Sequence, residues 1–303
     1  MTAAAALAAL LLLPGLLVAR APWTAVPFLS LFFWIASWWW LPSVGRARFV
    51  GAALTAFVLA GVLRVLRFDG RWPSWPPLLA LAAALFHAAA TLVGAPARLD
   101  PVPAQLMVWH DGLPRTYVPL REASDFGAHP HGWDALAADV AQLSDLAPPR
   151  AVPIGAAAAR GLSSVGLYAL LVRLYPPPPA AYVTLGASMA AGLLEALGLG
   201  LGPASSLAAG FALTAAGLVA RARSRSSAVG AGAFAGTALM IAPWVAAVGV
   251  AAGAAAAALA WTRIPGEERD ALRRRLLLAG LVAALTATPY LFRVGMALGG
   301  GRL

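Results

Sequence analysis

Apolar residues along this chain come in long runs rather than in short alternating ones. A run of about 17–25 mostly apolar residues covers a hydrocarbon core of about 30 Å. Ala3 to Ala19 is the first such run. No Lys or Arg precedes it and Arg20 follows it, so it reads as a spanning helix rather than a secretory signal. Trp23 to Leu41 is the second and ends in Trp38, Trp39 and Trp40, the clustering expected at a membrane interface. Phe49 to Leu66 and Pro76 to Ala95 are the third and fourth. Residues 1–95 are therefore expected to form an N-terminal membrane region of four helices.

The pattern breaks at Pro96. Up to about Arg150 the chain carries Asp100, Asp111, Glu122, Asp125, Asp134, Asp139 and Asp145, most of its acid. Residues 96–150 are expected to be a polar extramembrane subdomain, either helical or α/β. Gln105 to Trp109 suggests a short strand. Trp133 to Leu146 predicts an amphipathic helix with Leu136, Val140 and Leu143 on one face and Asp139 and Gln142 off it. Pro148 and Pro149 end it.

Residues 151–303 predict a C-terminal membrane region of four to six helices, but its first part reads two ways. Ala151 to Tyr175 is apolar enough to span, yet contains Arg160 and Arg173. A central Arg costs about 2.5–3.5 kcal/mol on insertion scales. Pro176 to Pro179 make a stiff turn, and Ala180 to Leu201 follows with Glu195 inside it. The alternative extends the polar domain to residue 187 as strand, helix and a strand at Tyr182–Leu185. Beyond it, Ala204 to Ala220 spans. Ala228 to Ala242 and Trp244 to Trp261 form a hairpin about Pro243, Arg263 to Arg275 is a charged loop, and Leu276 to Leu298 is a last span broken at Pro289.

Composition agrees with this pattern. The 303 residues are 61% hydrophobic and only 11% charged, with a mean hydropathy of +0.78. Soluble domains carry roughly 25% charged and 45–50% apolar residues. The fold class expected is an all-α polytopic membrane protein of 8–10 transmembrane helices with one polar subdomain. The absence of cysteine excludes disulfides, thiolate metal sites and a cysteine nucleophile. Every positive charge is an Arg, and the net charge is +10. No basic stripe interleaved with aromatics points to nucleic acid. Arg-rich loops belong on the cytoplasmic side. Loops 221–227 and 263–275 are thus expected inside, in an inner membrane of bacterial type. With a hairpin at Pro176–Pro179, the polar segment and the N-terminus then lie outside, and Arg64, Arg67 and Arg71 inside. The alternative reading instead brings Arg46 and Arg48 inside.

Two groups of residues carry candidate chemistry. His110, His129 and His131, with Asp125, sit in the polar segment, and imidazole plus carboxylate suits a divalent transition metal. Two histidines flanking Pro130 can share one ion on an extended chain. The spacing matches no zinc signature, and a polar loop collects such residues anyway. The second group lies at membrane depth: His87, Arg160 and Glu195, with Arg293 nearby. Ionisable groups there mark a pathway, a relay or a pair. Snorkelling explains Arg more simply, and a helix-to-helix hydrogen bond explains Glu195.

Several enzyme signatures fail. GASMAAG, Gly186 to Gly192, is similar to the serine segment of rhomboid intramembrane proteases, which need a histidine on a later helix. None follows His131. Glu267–Glu268 with Arg273 resembles the glutamate motif of CAAX-type membrane proteases at the wrong spacing. No Walker A pattern is present. The function expected is therefore a non-enzymatic multi-pass component: a permease or channel subunit, or a translocation or assembly factor, in contact with lipid and with other membrane subunits. The alternative is a membrane-embedded enzyme acting on a lipid or lipid-linked substrate through a His/Asp site in residues 105–134.

Overall fold

A computed structural model describes residues 2–18, 23–41, 45–65, 75–94, 99–112, 116–117, 124–125, 130–197, 199–220, 224–251, 253 and 266–298. Among the described residues the secondary structure is helical, apart from one two-residue antiparallel ladder, β1 (Thr116–Tyr117) on β2 (Ser124–Asp125). The helices are α1 (Ala3–Leu12), α2 (Val26–Trp40), α3 (Arg46–Val65), α4 (Trp75–Gly94), α5 (Val102–Trp109), α6 (Gly132–Ser144), α7 (Pro148–Leu174), α8 (Pro177–Ala196), α9 (Pro203–Ala220), α10 (Arg225–Ile241), α11 (from residue 243, described to 251) and α12 (Gly266–Leu298).

Three of the described helices are long and apolar enough to cross a membrane: Trp75–Val93, Pro148–Leu174 and Arg269–Leu298. Ala3–Leu17 and Pro203–Val219 are apolar but shorter.

The proline-rich joints explain several boundaries. Proline fixes φ and lacks an N–H, which suits the first turn of a helix. Pro148, Pro149, Pro177 and Pro178 all occupy such positions. Tyr182–Leu185 is helical, so the reading that put a strand there does not hold. Residues 105–109 are helix rather than strand, since Pro101 to Pro103 start α5 upstream of them. The expected charged loop is helical from Gly266, and α12 runs on through Pro289. At 1.5 Å per residue, its 33 residues exceed a bilayer core by several turns, and those turns hold the arginines.

Small residues set the packing at the centre. α7 touches α4, α6, α8 and α9; α10 joins α9 to α12; α2 lies across α6, α10 and α12. A Cβ on Gly166 would land on the backbone of Gly210, so α7 and α9 come together as closely as backbones allow. Chain direction follows from such contacts. Gly166 meets Gly210 while Gly217 meets Ala169, so α7 and α9 run parallel. Gly232 meets Ala279 and Gly236 meets Ala283, so α10 and α12 also run parallel. α4 opposes α7, because Ala80 packs with Tyr168 and Gly161 with Ala84.

One end of the bundle therefore holds Arg173, Arg225 and the start of α12, and is called here the basic end. The other end holds α6, where Gly132 packs on Ile241 and Ala137 on Gly155. Although amphipathic by pattern, α6 is buried from Asp134 to Ala141, because α1, α2, α3, α5 and α7 enclose it.

Candidate functional site

The membrane-depth candidates come together where α4, α7 and α8 meet. Arg160 stands midway along α7 and Glu195 is the penultimate residue of α8. Arg160 Nη2 lies 2.8 Å from Glu195 Oε2, and both side chains are about 5% exposed. The loop after α8 closes over them. Arg160 Nη2 and Nε donate to the Leu201 carbonyl at 3.3 and 3.4 Å. The Glu195 carboxylate occupies the space that a Cβ on Gly200 would need. Only a residue without a side chain lets the loop approach that closely. Arg160 Nη1 is buried and has no hydrogen-bond partner among the described residues.

One turn along α7, a second polar chain begins. Ser188 on α8 donates to Ser164 on α7 at 2.7 Å, and Ser164 Oγ lies 3.2 Å from His87 Nδ1 on α4. With the Ser188 proton directed at Ser164, the Ser164 proton is left for the imidazole, which assigns Nδ1 as acceptor. All three residues are buried. A rhomboid-type arrangement would place the histidine after Ser188. His87 instead comes from an earlier helix and acts through a third residue that the motif did not include. Enclosed between three packed helices, Ser188 offers an acyl substrate no approach. The chain Ser188–Ser164–His87 can pass or hold a proton.

A second buried pair lies at the end opposite the basic one. Arg46, the first residue of α3, places Nε 2.9 Å from Asp139 Oδ1 and Nη2 2.7 Å from Asp139 Oδ2. Its Nη1 donates to Ser37 Oγ at 2.7 Å, and its Nη2 also donates to the Trp34 carbonyl at 3.0 Å. The Trp38 ring lies 4.4 Å below Cζ. Burial pushes the Asp139 carboxyl above its ordinary range and the Arg46 guanidinium opposes the shift. The two-pronged fork is the geometry of an ionised carboxylate. Asp139 was expected on the exposed face of its helix; it is buried because Arg46 covers it.

Of the metal candidates, His110 and His131 have described side chains. His110 is exposed where α5 ends. Its neighbour Asp111 caps α3, accepting from the Ala47 N–H at 2.7 Å. His131 precedes α6 and places Nδ1 3.1 Å from Asp134 Oδ2. Burial pushes the Asp134 carboxyl up, against the pull of His131. Asp125 is in β2, and His129 lies outside the described residues. Among the described residues, no three His, Asp or Glu side chains are grouped closely enough to hold a metal ion. Compared with family models, with characterised proteins and with solved structures, the chain matches none.

Proposed function

We propose that the chain is a multi-pass component of a cell's inner membrane, a permease or translocation subunit rather than an enzyme, and that Arg160 and Glu195 are its solute-handling point. Support for the membrane setting is the apolar surface. Leu78, Leu81 and Leu85 on α4, Val183, Leu193 and Leu194 on α8, and Leu277, Leu281 and Leu285 on α12 are all exposed. Apolar surface on that scale marks a protein whose solvent is lipid or a partner. In the orientation this implies, the basic end faces the cytoplasm and α5 and α6 form the outer subdomain. Arg46 would then be an arginine on the wrong side, and its pairing with Asp139 accounts for that.

The observation that carries the transport reading is the guanidinium of Arg160, buried mid-helix beside a carboxylate and with Nη1 unpartnered. A buried charge persists when it is paired or functional. In the proposed cycle a proton neutralises Glu195, which releases Arg160. A small anionic solute, a carboxylate for example, takes the vacated N–H groups. One proton and one monovalent anion then move together without net charge. The Ser188–Ser164–His87 chain lies one turn away as a route for the proton.

The test uses proteoliposomes with an imposed pH gradient and labelled gluconate, a monovalent carboxylate too polar to cross lipid unaided, as first probe. Wild-type protein should accumulate the anion with the gradient. Arg160→Gln should abolish uptake, and Glu195→Gln should leave flux that no longer responds to pH. Uptake unchanged in both variants would refute the assignment.

A further inference from the structure

A second feature lies away from that cluster. Helices α9, α10, α11 and α12 line a half-open recess of about 650 Å³. Its walls are Ala and Gly almost throughout; Ala215, Gly232, Ala235, Gly249, Ala279 and Gly280 are representative. Volumes of this size are typical of ligand sites, but such sites carry a few convergent polar groups. The side chains lining this one, among the described residues, carry no hydrogen-bonding group, which suits a hydrocarbon occupant.

The position of the recess says more. Its lining on α12 runs from Leu276 to Ala283 and on α10 from Ala231 to Ala238. That is a depth of roughly 10 Å, within one leaflet of a core of about 30 Å. At its outer rim the same helix faces become basic. Arg273 precedes Leu276 by one turn, and Arg225 precedes Gly232 by two. Gly232 packs on Ala279 with the two helices parallel, which brings Arg225 level with residue 272. Arg225 and Arg273 are both exposed. The first turns of α12, residues 266–275, hold four arginines against Glu267, Glu268 and Asp270. Cation at the interface and hydrocarbon slot beneath it are the two halves of an anionic amphiphile.

We infer that this recess holds one acyl chain of an anionic phospholipid, whose phosphate is drawn to Arg225 and Arg273. The inference rests on the reading of the chain as a membrane protein and is independent of the solute cycle. A helical partner would need a strip several turns long, whereas this recess spans about two turns of α10 and of α12. A second copy of the chain would bring its own Arg225 and Arg273 against these and be repelled.

The full chain is purified in mild detergent and examined by native mass spectrometry. Dioleoylphosphatidylglycerol is then titrated against dioleoylphosphatidylcholine. Wild-type protein should retain one anionic lipid and prefer the glycerol headgroup. Replacing both arginines, Arg225→Gln with Arg273→Gln, should reduce that preference by about 30-fold, near fivefold for each charge. Gly280→Trp should abolish retention, since a Cβ at Gly280 meets nothing within 4 Å and the ring can enter the slot. Gly295→Trp, equally unobstructed and outside the slot, should retain the lipid. Equal binding of the two lipids with no effect of Gly280→Trp would overturn the inference. So would a dimer that Gly280→Trp dissociates, which would make a second copy the occupant. A chain that is monodisperse without detergent would instead remove the membrane reading itself.

Discussion

Removing Asp139 leaves Arg46 as a buried cation without a counterion. Asp139→Ala deletes two charge-assisted hydrogen bonds, at 2.9 and 2.7 Å. The remaining bonds, to Ser37 and the Trp34 carbonyl, carry no charge to offset the guanidinium. Breaking a buried pair from one side costs about 3–5 kcal/mol, which is two to four decades in the unfolding equilibrium. Arg46→Met should cost less, because a lone buried carboxyl can take up a proton. Replacing the pair together, Arg46→Met with Asp139→Leu, should be nearly neutral or stabilising by about 1–4 kcal/mol. The assay is reversible unfolding in mixed micelles, titrated with denaturing detergent and analysed as a double-mutant cycle. A coupling energy of several kcal/mol is expected. Single variants that each cost under about 1 kcal/mol, or a double variant equal to the sum of the singles, would refute the assignment. The first result would mean that water reaches the pair; the second, that the two side chains do not interact.

Two other consequences concern different parts of the molecule. Gly200→Ala places a methyl group on the Glu195 carboxylate and should separate it from Arg160, at a cost of about 1–3 kcal/mol, whereas Gly202→Ala in the same loop meets nothing within 4 Å and should be silent; equal melting temperatures for the two variants would contradict the packing described. Burial raises the Asp134 carboxyl, so its protonated form favours the folded state; that contribution is complete below its ordinary value of about 3.9 and is lost as pH rises through the raised value. Asp134→Asn removes this loss, so thermal unfolding from pH 4 to 7 should show the variant gaining on the wild type as pH rises, and a difference independent of pH would be the contrary result.

The helical class of the molecule was legible because its apolar runs exceed strand length and are punctuated by proline and glycine. The helical run containing Arg160 follows from that, whereas α8 begins within the four prolines, at Pro177, and not after them. Short segments were less readable. Gln105 to Trp109 has a strand's residue types, and only the prolines upstream decide for helix. The hydrophobic period of α6 is real, yet period cannot reveal that other helices enclose the polar face as well. Asp139 was misread for that reason, its partner being 93 residues away. His87, Arg160 and Glu195 could be singled out because ionisable groups in apolar runs are rare. Ser164 could not, because serine in an apolar helix is ordinary. The link from Ser188 to His87 is a tertiary fact that chain order conceals. The recess in the C-terminal helices left only a surplus of alanine and glycine in the sequence, which close helix packing explains equally well.

The central proposal is that the helices from α7 to α12 cross a bilayer with the arginine-rich end inside and α6 outside. The chain has no cysteine, so one introduced residue is its only thiol. Ala147→Cys lies at the α6 end and Ser226→Cys at the basic end, both at exposed positions. Each variant is treated with a membrane-impermeant maleimide in intact cells and again after permeabilisation. The account predicts that the thiol at 147 reacts in intact cells and the thiol at 226 only after permeabilisation. Labelling of both from the same side, or recovery of the protein in the soluble fraction, would contradict it.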